Sequence, residues 1–326
     1  MVVSALRSIP QDRRELQWLT ELVNVGLQLE LATIPPYLTA YWSIRDAGHP
    51  VARSLFEVVL EEMQHLGLMC NLLAGLGQPV RLRDAALLYP CSLPGGVHST
   101  LTLDLLPFGP ISLASFMAVE YPESGDARGS PDGDDKATIG EFYSLLEDGF
   151  ALLAPDLGVG RQIEAMGLTK LRDAADIANA LQTIKRQGEG SRHSPADSHV
   201  GDLSHYYRFR EMREGRRFRH DPDAGQWRWA EPIDVPTDDA ILPITPARDN
   251  DAQTAEAAAA LAAFDTAYSG LLTLLEQAWQ SGDAGALRAS AASMARLGDA
   301  AVTVMRLKRP DRAGNYTPRF RPIQTQ

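Results

Sequence analysis

A carboxylate and an imidazole stand three residues apart in the stretch Glu62-Met63-Gln64-His65. In a helix, positions i and i+3 project from one face about one turn apart, so Glu62 and His65 can reach the same ion. Taken alone, such a pair is more often exposed on a helix surface. An upstream helical pattern, however, carries Glu30 among apolar residues, where a lone carboxylate is costly to bury. Oxygen and nitrogen ligands without thiolate suit iron or manganese better than a structural zinc ion.

The second half of the chain offers a matching set of ligands. Glu141 has apolar neighbours within Ile139–Tyr143, and His205 precedes two tyrosines. A carboxylate to accompany His205 has two candidates. A loop could bring Glu189 to His205, which we favour because the glycines on both sides of Glu189 indicate a bent backbone held close to another group. Alternatively, Asp202 occupies the regular position three residues before His205.

Glu120 is a further candidate at a predicted helix end, where the alternative is a carboxylate exposed to water. Four carboxylates carry about four negative charges and balance two divalent ions, while neutral imidazoles complete the ligand shells. The sequence therefore predicts two iron ions, with manganese or another divalent metal as the alternative. The predicted metal ligands are Glu30, Glu62, His65, Glu141, Glu189 and His205, and less certainly Glu120 and Asp202.

Helical periodicity of the apolar residues dominates the chain, which predicts an all-α fold. Pro35-Pro36 predicts a kink or break in the first long helix just before Tyr37. Alternation over Ser99–Leu105 predicts a short strand within a long crossing connection, and the tryptophan-containing stretch 216–236 predicts a small β-hairpin. The predicted helices span about 11–46, 51–76, 113–120, 137–153, 173–187 continuing at 200–214, 252–280 and 284–307.

These elements predict three regions: a metal-binding bundle over 1–217, a hairpin and linker over 218–251, and a C-terminal helical hairpin over 252–326 that packs on the bundle. The formal net charge of -11 argues against nucleic acid or an anionic membrane surface as a partner. No apolar stretch approaches the length of a membrane span, and the start lacks the apolar core of a secretory signal. We therefore predict a cytoplasmic protein, and the sequence leaves open whether it forms a homodimer.

Several motifs together resemble the ferritin-like family typified by iminophenyl-pyruvate dimer synthase of violacein-type bisindole pathways. They are Glu30–Leu38, Glu61–Leu66 with Asn71–Leu73, Tyr89-Pro90, Gly140–Tyr143, Gln187–Gly190 and Ser204–Phe209. The resemblance implies a ferritin-like bundle with a metal centre at Glu30, Glu62, His65, Glu141, Glu189 and His205. Glu120 also matches a Glu-x-Pro-Glu pattern of the family.

The resemblance implies a tailoring role in secondary metabolism, although fold-level analogy does not identify a substrate. The leading hypothesis is a non-haem di-iron oxidoreductase that activates dioxygen or peroxide and oxidises or couples a small amino-acid-derived substrate. The alternative is a ferritin-type iron-binding or storage protein without an organic substrate. A metal-free structural protein is disfavoured because it would bury several carboxylates without cations.

Overall fold

The computed structural model describes residues 3–122, 138–188, 195, 203–246 and 252–323. A short α1 (Val3–Arg7) precedes two long helices, α2 (Leu16–Ser43) and α3 (Pro50–Gly75), which pack against each other as the predicted hairpin. Pro50 occupies the first turn of α3, where a missing N–H costs nothing. The Nδ1 atom of His49 accepts a hydrogen bond of 3.2 Å from the Val51 amide and caps the same end. Local chemistry thus fixes where α3 begins.

Of the kink or break predicted at Pro35-Pro36, the break is wrong, because α2 continues through both prolines to Ser43. Pro36 has no N–H to donate to the carbonyl oxygen of Ala32, and the hydroxyl group of Tyr89 donates to that oxygen instead, at 2.7 Å. Both prolines are buried against neighbouring elements. Tertiary packing and a substitute donor therefore keep the helix intact where local preference would end it.

The long connection after α3 contains α4 (Leu82–Ala85), β1 (Cys91–Ser92), β2 (Thr102–Leu103) and α5 (Pro110–Val119). Strand β1 pairs antiparallel with β2, which confirms the short strand predicted within Ser99–Leu105. Helix α5 ends at Val119, with Glu120 as its C-cap residue, and Pro122 follows closely. This connection crosses the hairpin and delivers Glu120 to its interior side.

The second pair of bundle helices is α6 (Ile139–Leu153) and α7 (Ala174–Gly188), and α8 (His205–Glu214) follows the interruption after α7. Helix α6 packs on α7 and α2, whereas α3 contacts both α7 and α8. The predicted all-α four-helix bundle is confirmed, with a fourth helix formed in two parts.

The remaining elements are a hairpin of β3 (Arg216–Asp221) and β4 (Gln226–Pro232), then α9 (Ala255–Ser281) and α10 (Ala284–Arg306). Gly282 turns the chain between α9 and α10 with a φ of 69°, and the Asp283 carboxylate caps α10. Helix α9 packs on α3 and α4, and α10 packs on α2. The β-hairpin and the packed C-terminal helical hairpin are confirmed, while the boundaries at 217 and 251 stay predictions.

Among the described helices, α9 is long and apolar enough to meet the length and composition criteria for a membrane span. Several of its larger apolar side chains, including Leu261, Phe264, Leu272 and Trp279, are buried within the protein. A core helix of a folded domain meets the same criteria, so the composition of α9 alone does not indicate a membrane.

Candidate metal centre

Four helices bring five polar side chains together in the interior of the bundle. Glu30 lies on α2, Glu62 and His65 lie on α3, Glu120 directly follows α5, and His205 is the first residue of α8. None of these residues is more than 4% exposed. Buried carboxylates at this density require compensating positive charge from protons or metal ions.

The five residues form two overlapping groups with the spacing of metal ligands. One group is Glu30, Glu62 and His65, and the other is Glu62, Glu120 and His205. Within each group, one ligand atom from every residue lies within 4.8 Å of the others. Glu62 belongs to both groups, so its carboxylate connects them.

Both imidazoles point the same ring atom at the carboxylates. His65 Nδ1 lies 3.4 Å from Glu30 Oε2 and 3.9 Å from Glu62 Oε1, and His205 Nδ1 lies 2.7 Å from Glu62 Oε1. The outward Nε2 atoms bind acceptors: Gln187 Oε1 for His65 and Glu61 Oε2 for His205, each at 2.8 Å. A ligating histidine typically donates its second ring N–H to such an acceptor, which leaves the inward nitrogen as a lone-pair donor.

The Nδ1 atom of His205 shows that this arrangement fits a metal ion. It is buried and has no hydrogen-bond partner, since its close approach to Glu62 lies outside hydrogen-bond geometry. Because the Glu61 carboxylate can only accept, a singly protonated His205 carries its proton on Nε2, which leaves the Nδ1 lone pair to share a cation with the carboxylate oxygens. A cation between Nδ1 and these oxygens would satisfy both.

Three hydroxyl groups each donate to one of the three inward carboxylates. Tyr37 donates to Glu120 Oε1 at 2.7 Å, Thr33 donates to Glu62 Oε2 at 2.7 Å, and Tyr143 donates to Glu30 Oε1. Burial, together with the adjacent carboxylates, raises the pKa of both tyrosines well above its usual value. The phenols therefore stay protonated and keep the carboxylates oriented.

In the absence of metal, the histidines supply the positive charge. Burial lowers the pKa of His205, but the carboxylates of Glu120, Glu61 and Glu62 outweigh that effect and raise it well above the usual value. The pKa of His65 is also raised, because Glu30 and Glu62 outweigh its burial. A metal ion would displace these protons, so metal binding at the centre competes with protonation.

Glu61 was missed by the sequence reasoning and supports the site from outside. Besides accepting from His205, its carboxylate binds the guanidinium of Arg208 at 2.9 and 2.8 Å. Burial would raise the pKa of Glu61, but the charges and hydrogen bonds of His205 and Arg208 lower it to about 2. The sequence signal was the spacing of His205 and Arg208, which presents an imidazole and a guanidinium on one helix face.

The structure does not bring Glu141 into the cluster. Glu141 is the third residue of α6, and its Oε2 atom accepts from the Thr138 amide at 3.0 Å while Thr138 Oγ1 accepts from the Glu141 amide. This reciprocal pair is a capping box, for which Thr-x-x-Glu at a helix start is the sequence signature. Within the described residues, Glu120 stands in the group with His205, where Glu141 was predicted.

Glu189 and Asp202 lie outside the described residues, so the choice between them stays a prediction. Gly188, directly before Glu189, does lie against the centre. A Cβ atom added there would stand 3.0 Å from Glu120 Oε2. This agrees with the expectation that glycine beside Glu189 holds the backbone close to another group.

A small cavity of about 20 Å³ adjoins four of the five site residues: Glu30, Glu62, His65 and Glu120. Gly140, Lys185 and Gly188 are among its other lining residues. The volume is that of about one water molecule. It leaves space beside the carboxylates for a ligand as small as dioxygen, peroxide or water.

The fold and the buried carboxylate–histidine cluster define a ferritin-like protein. Residues 23–214 match the family model described as Ferritin-like, and the chain belongs to this family. A ferritin-like protein from Caulobacter vibrioides has a similar solved structure, with a TM-score of 0.67 and 23% sequence identity. The match covers 94% of this chain and 98% of that one, which shows that the C-terminal hairpin belongs to the shared fold.

Among proteins with assigned activities, the chain is similar to the 2-imino-3-(indol-3-yl)propanoate dimerase of Chromobacterium violaceum. The two are 29% identical over 179 residues, which is 52% of this chain and 17% of the dimerase. The chain thus spans a small part of that relative. The resemblance inferred from the motifs is confirmed, whereas the relative's reaction does not transfer on this basis alone.

Proposed function

We propose that this protein is a non-haem di-metal oxidoreductase, with iron as the metal, that acts on a small amino-acid-derived substrate. The observation that carries the proposal is the pair of Glu/His groups sharing Glu62, each with an imidazole Nδ1 aimed inward. Ferritin-like bundles hold two ions with a similar combination of carboxylates and Glu-x-x-His histidines. The relative named as a dimerase of an indole-bearing imino acid supports this substrate class.

The charge of the site agrees with two divalent ions. Glu30, Glu62 and Glu120 contribute about three negative charges, and the histidines are neutral when they ligate. Two divalent ions add four positive charges, leaving a net charge of about plus one. That remaining charge is suited to one further anionic ligand. Glu189 is the residue predicted for this place, and an anionic group that enters the small cavity is the alternative.

The protein side chains position and protect such a centre. Glu30, Glu62, Glu120, His65 and His205 would hold the ions, and bound iron would supply electrons to dioxygen or peroxide. Hydrogen bonds from Tyr37, Thr33 and Tyr143 hold the carboxylates of Glu120, Glu62 and Glu30 in their orientation. The almost complete burial of the ligands excludes bulk water.

The proposal is tested by metal content and oxygen consumption in three proteins: the wild type, Glu62→Gln and Glu141→Gln. Reconstituted with ferrous iron under nitrogen, the wild type should hold about two iron ions per chain. Glu62→Gln removes the shared ligand and should hold fewer than one. Glu141→Gln keeps the capping geometry without the charge and should match the wild type.

Exposure to oxygen should then produce a ligand-to-metal absorption band in the wild type and Glu141→Gln only. Equal iron in all three proteins would overturn the ligand assignment, and bound iron that never reacts with oxygen or peroxide would overturn the oxidoreductase. Size-exclusion chromatography separates this proposal from iron storage, since a storage shell elutes far larger than a monomer or dimer.

A further inference from the structure

A second and much larger cavity lies on another side of α2 and α3, where the C-terminal hairpin packs on the bundle. Its volume is about 1040 Å³, and its walls come mainly from α2, α3, α9 and α10. None of the five residues of the metal centre lines it. Two of the lining residues, Leu31 on α2 and Met63 on α3, directly follow the site residues Glu30 and Glu62 in the sequence. The two helices therefore separate the cavity from the metal centre.

The cavity is a deep recess and not a shallow surface patch. Leu38, Cys70 and Leu297 contribute to its lining and are no more than 2% exposed. At the rim, Leu60 is 44% exposed and Met166 is 53% exposed. A space that runs from exposed to fully buried apolar residues is the form of a small-molecule site, and its volume lies at the upper end of the range for such sites.

Small residues of α10 form part of the mouth of the recess, and two of them, Ala291 and Ala295, are exposed. Ala291, Ala295 and Gly298 follow one another at four- and three-residue spacing, so they share the face of α10 that lines the cavity. On the α2 side, the rings of Tyr41 and Phe56 stack with centroids 4.9 Å apart, and both line the cavity. Flat aromatic walls facing a small-residue wall favour an apolar body in the ligand.

The charged lining residues indicate the polar end of that ligand. Two guanidinium groups, Arg45 and Arg306, line the cavity against one carboxylate, Asp299. Arg45 Nε donates to the backbone carbonyl oxygen of Asp239 at 3.0 Å. Within the part of the chain described here, neither arginine forms an ion pair with a carboxylate. The charged groups of the lining thus sum to about plus one, which would attract an anion.

We propose that this recess binds an apolar small molecule that carries one carboxylate or another single anionic group. The apolar body would lie between the aromatic residues of α2 and α3 and the small residues of α10. The anionic group would lie at Arg45 or Arg306, where guanidinium matches carboxylate geometry. The proposal rests on the recess alone and not on the metal centre, so each can fail without the other.

Fluorescence titration with 11-(dansylamino)undecanoic acid tests the proposal. The wild type should bind this probe with a Kd of about 1–10 µM, as for a moderately tight apolar ligand. Ala295→Trp places a large ring at the mouth of the recess and should weaken binding at least tenfold. Ala292→Trp is the matched control, because Ala292 is exposed on the same helix and does not line the cavity. Its Kd should stay within twofold of the wild type.

The polar end is tested with the double variant Arg45→Gln/Arg306→Gln and with the methyl ester of the probe. The double variant should bind the acid about tenfold more weakly than the wild type does, because the positive charge of the arginines is lost. It should bind the ester with the Kd of the wild type. Iron content, measured in every variant, should not change. Ala291→Phe, one turn earlier on α10, replaces Ala295→Trp if that variant does not fold.

Four results would overturn the proposal. A wild-type Kd above 1 mM for the acid, or equal binding by Ala295→Trp and Ala292→Trp, would show that the recess is not the site. Equal Kd values of the wild type for the acid and the ester would show that the recess does not select an anionic group. A wild-type dimer that binds no probe and dissociates in Ala295→Trp would make this face an interface between copies of the chain.

Discussion

Asn71 is predicted to be the polar residue on which docking of the later segments onto α3 most depends. Its side chain is fully buried and makes four hydrogen bonds, each 2.9 Å long. Its amide nitrogen donates to the carbonyl oxygens of Ile163 and Thr169, and its oxygen accepts from the Ile163 amide and from Trp279 Nε1. One side chain therefore joins α3 to the connection before α7 and to α9.

The substitution Asn71→Leu keeps nearly the same volume but removes all four hydrogen bonds. Each lost bond costs about 1 kcal/mol, because the partner groups stay buried without water, so the free energy of unfolding should fall by about 4 kcal/mol. Trp279→Phe removes one of the same bonds. The two effects should therefore combine to less than their sum, by about the 1 kcal/mol of the shared bond.

Urea unfolding followed by far-ultraviolet circular dichroism measures these differences. Asn24→Leu is the matched control, since Asn24 is exposed and bonds only within α2, to the carbonyl oxygen of Thr20; its change should stay within about 0.5 kcal/mol. A loss below about 1 kcal/mol for Asn71→Leu, or strict additivity with Trp279→Phe, would refute the reasoning.

Three further predictions concern the metal centre and the capping box at the start of α6. Glu61→Gln should weaken iron affinity about 10- to 100-fold in a competition titration, because the carboxylate that orients His205 is lost; exposed Glu57→Gln should leave it unchanged. Glu141→Ala should lower stability by about 1 kcal/mol in urea through loss of the capping box with Thr138, and Glu141→Gln should restore most of it. Free metal at 100 times its Kd should raise the free energy of unfolding by about 2.7 kcal/mol, and a chelator should reverse the gain.

Each of these predictions has a contradicting result. Equal iron affinities for Glu61→Gln and Glu57→Gln would mean that the carboxylate of Glu61 does not tune its neighbour. Equal stability of Glu141→Ala and Glu141→Gln would show that the Glu141 side chain does not stabilise the start of α6. Unfolding curves that coincide with and without metal would show that the ions do not bind the folded chain preferentially.

The sequence predicted the part of the site that depends on local geometry. Glu62 and His65 share a helix face by spacing alone, and Glu30 was identified because its apolar neighbours made an exposed position implausible. The structure brings these three residues together. It also brings His205 to them, as expected, because the helix that begins there packs on α3.

The sequence failed where position depends on contacts distant in the chain. Glu120 was a further candidate ligand, with an exposed helix end as the alternative, and the contact that accompanies its burial comes from Tyr37, which lies 83 residues away and donates to it. Glu141 had apolar neighbours but also a threonine three residues before it, and that local signal prevailed. The continuous α2 likewise depends on Tyr89, whose hydroxyl group no pattern within α2 could reveal.

The proline pair in α2 also has a mechanical consequence for the metal centre. Pro35 and Pro36 lie between Thr33 and Tyr37, whose hydroxyl groups hold the carboxylates of Glu62 and Glu120. A helix bends at least cost where its ladder of internal hydrogen bonds lacks members. Bending at this turn would move Tyr37 relative to Glu30 without unwinding either half of α2. The helix thus carries a flexure point beside the hydroxyl groups that hold two of the carboxylates, and the Tyr89 hydroxyl group bridges this point.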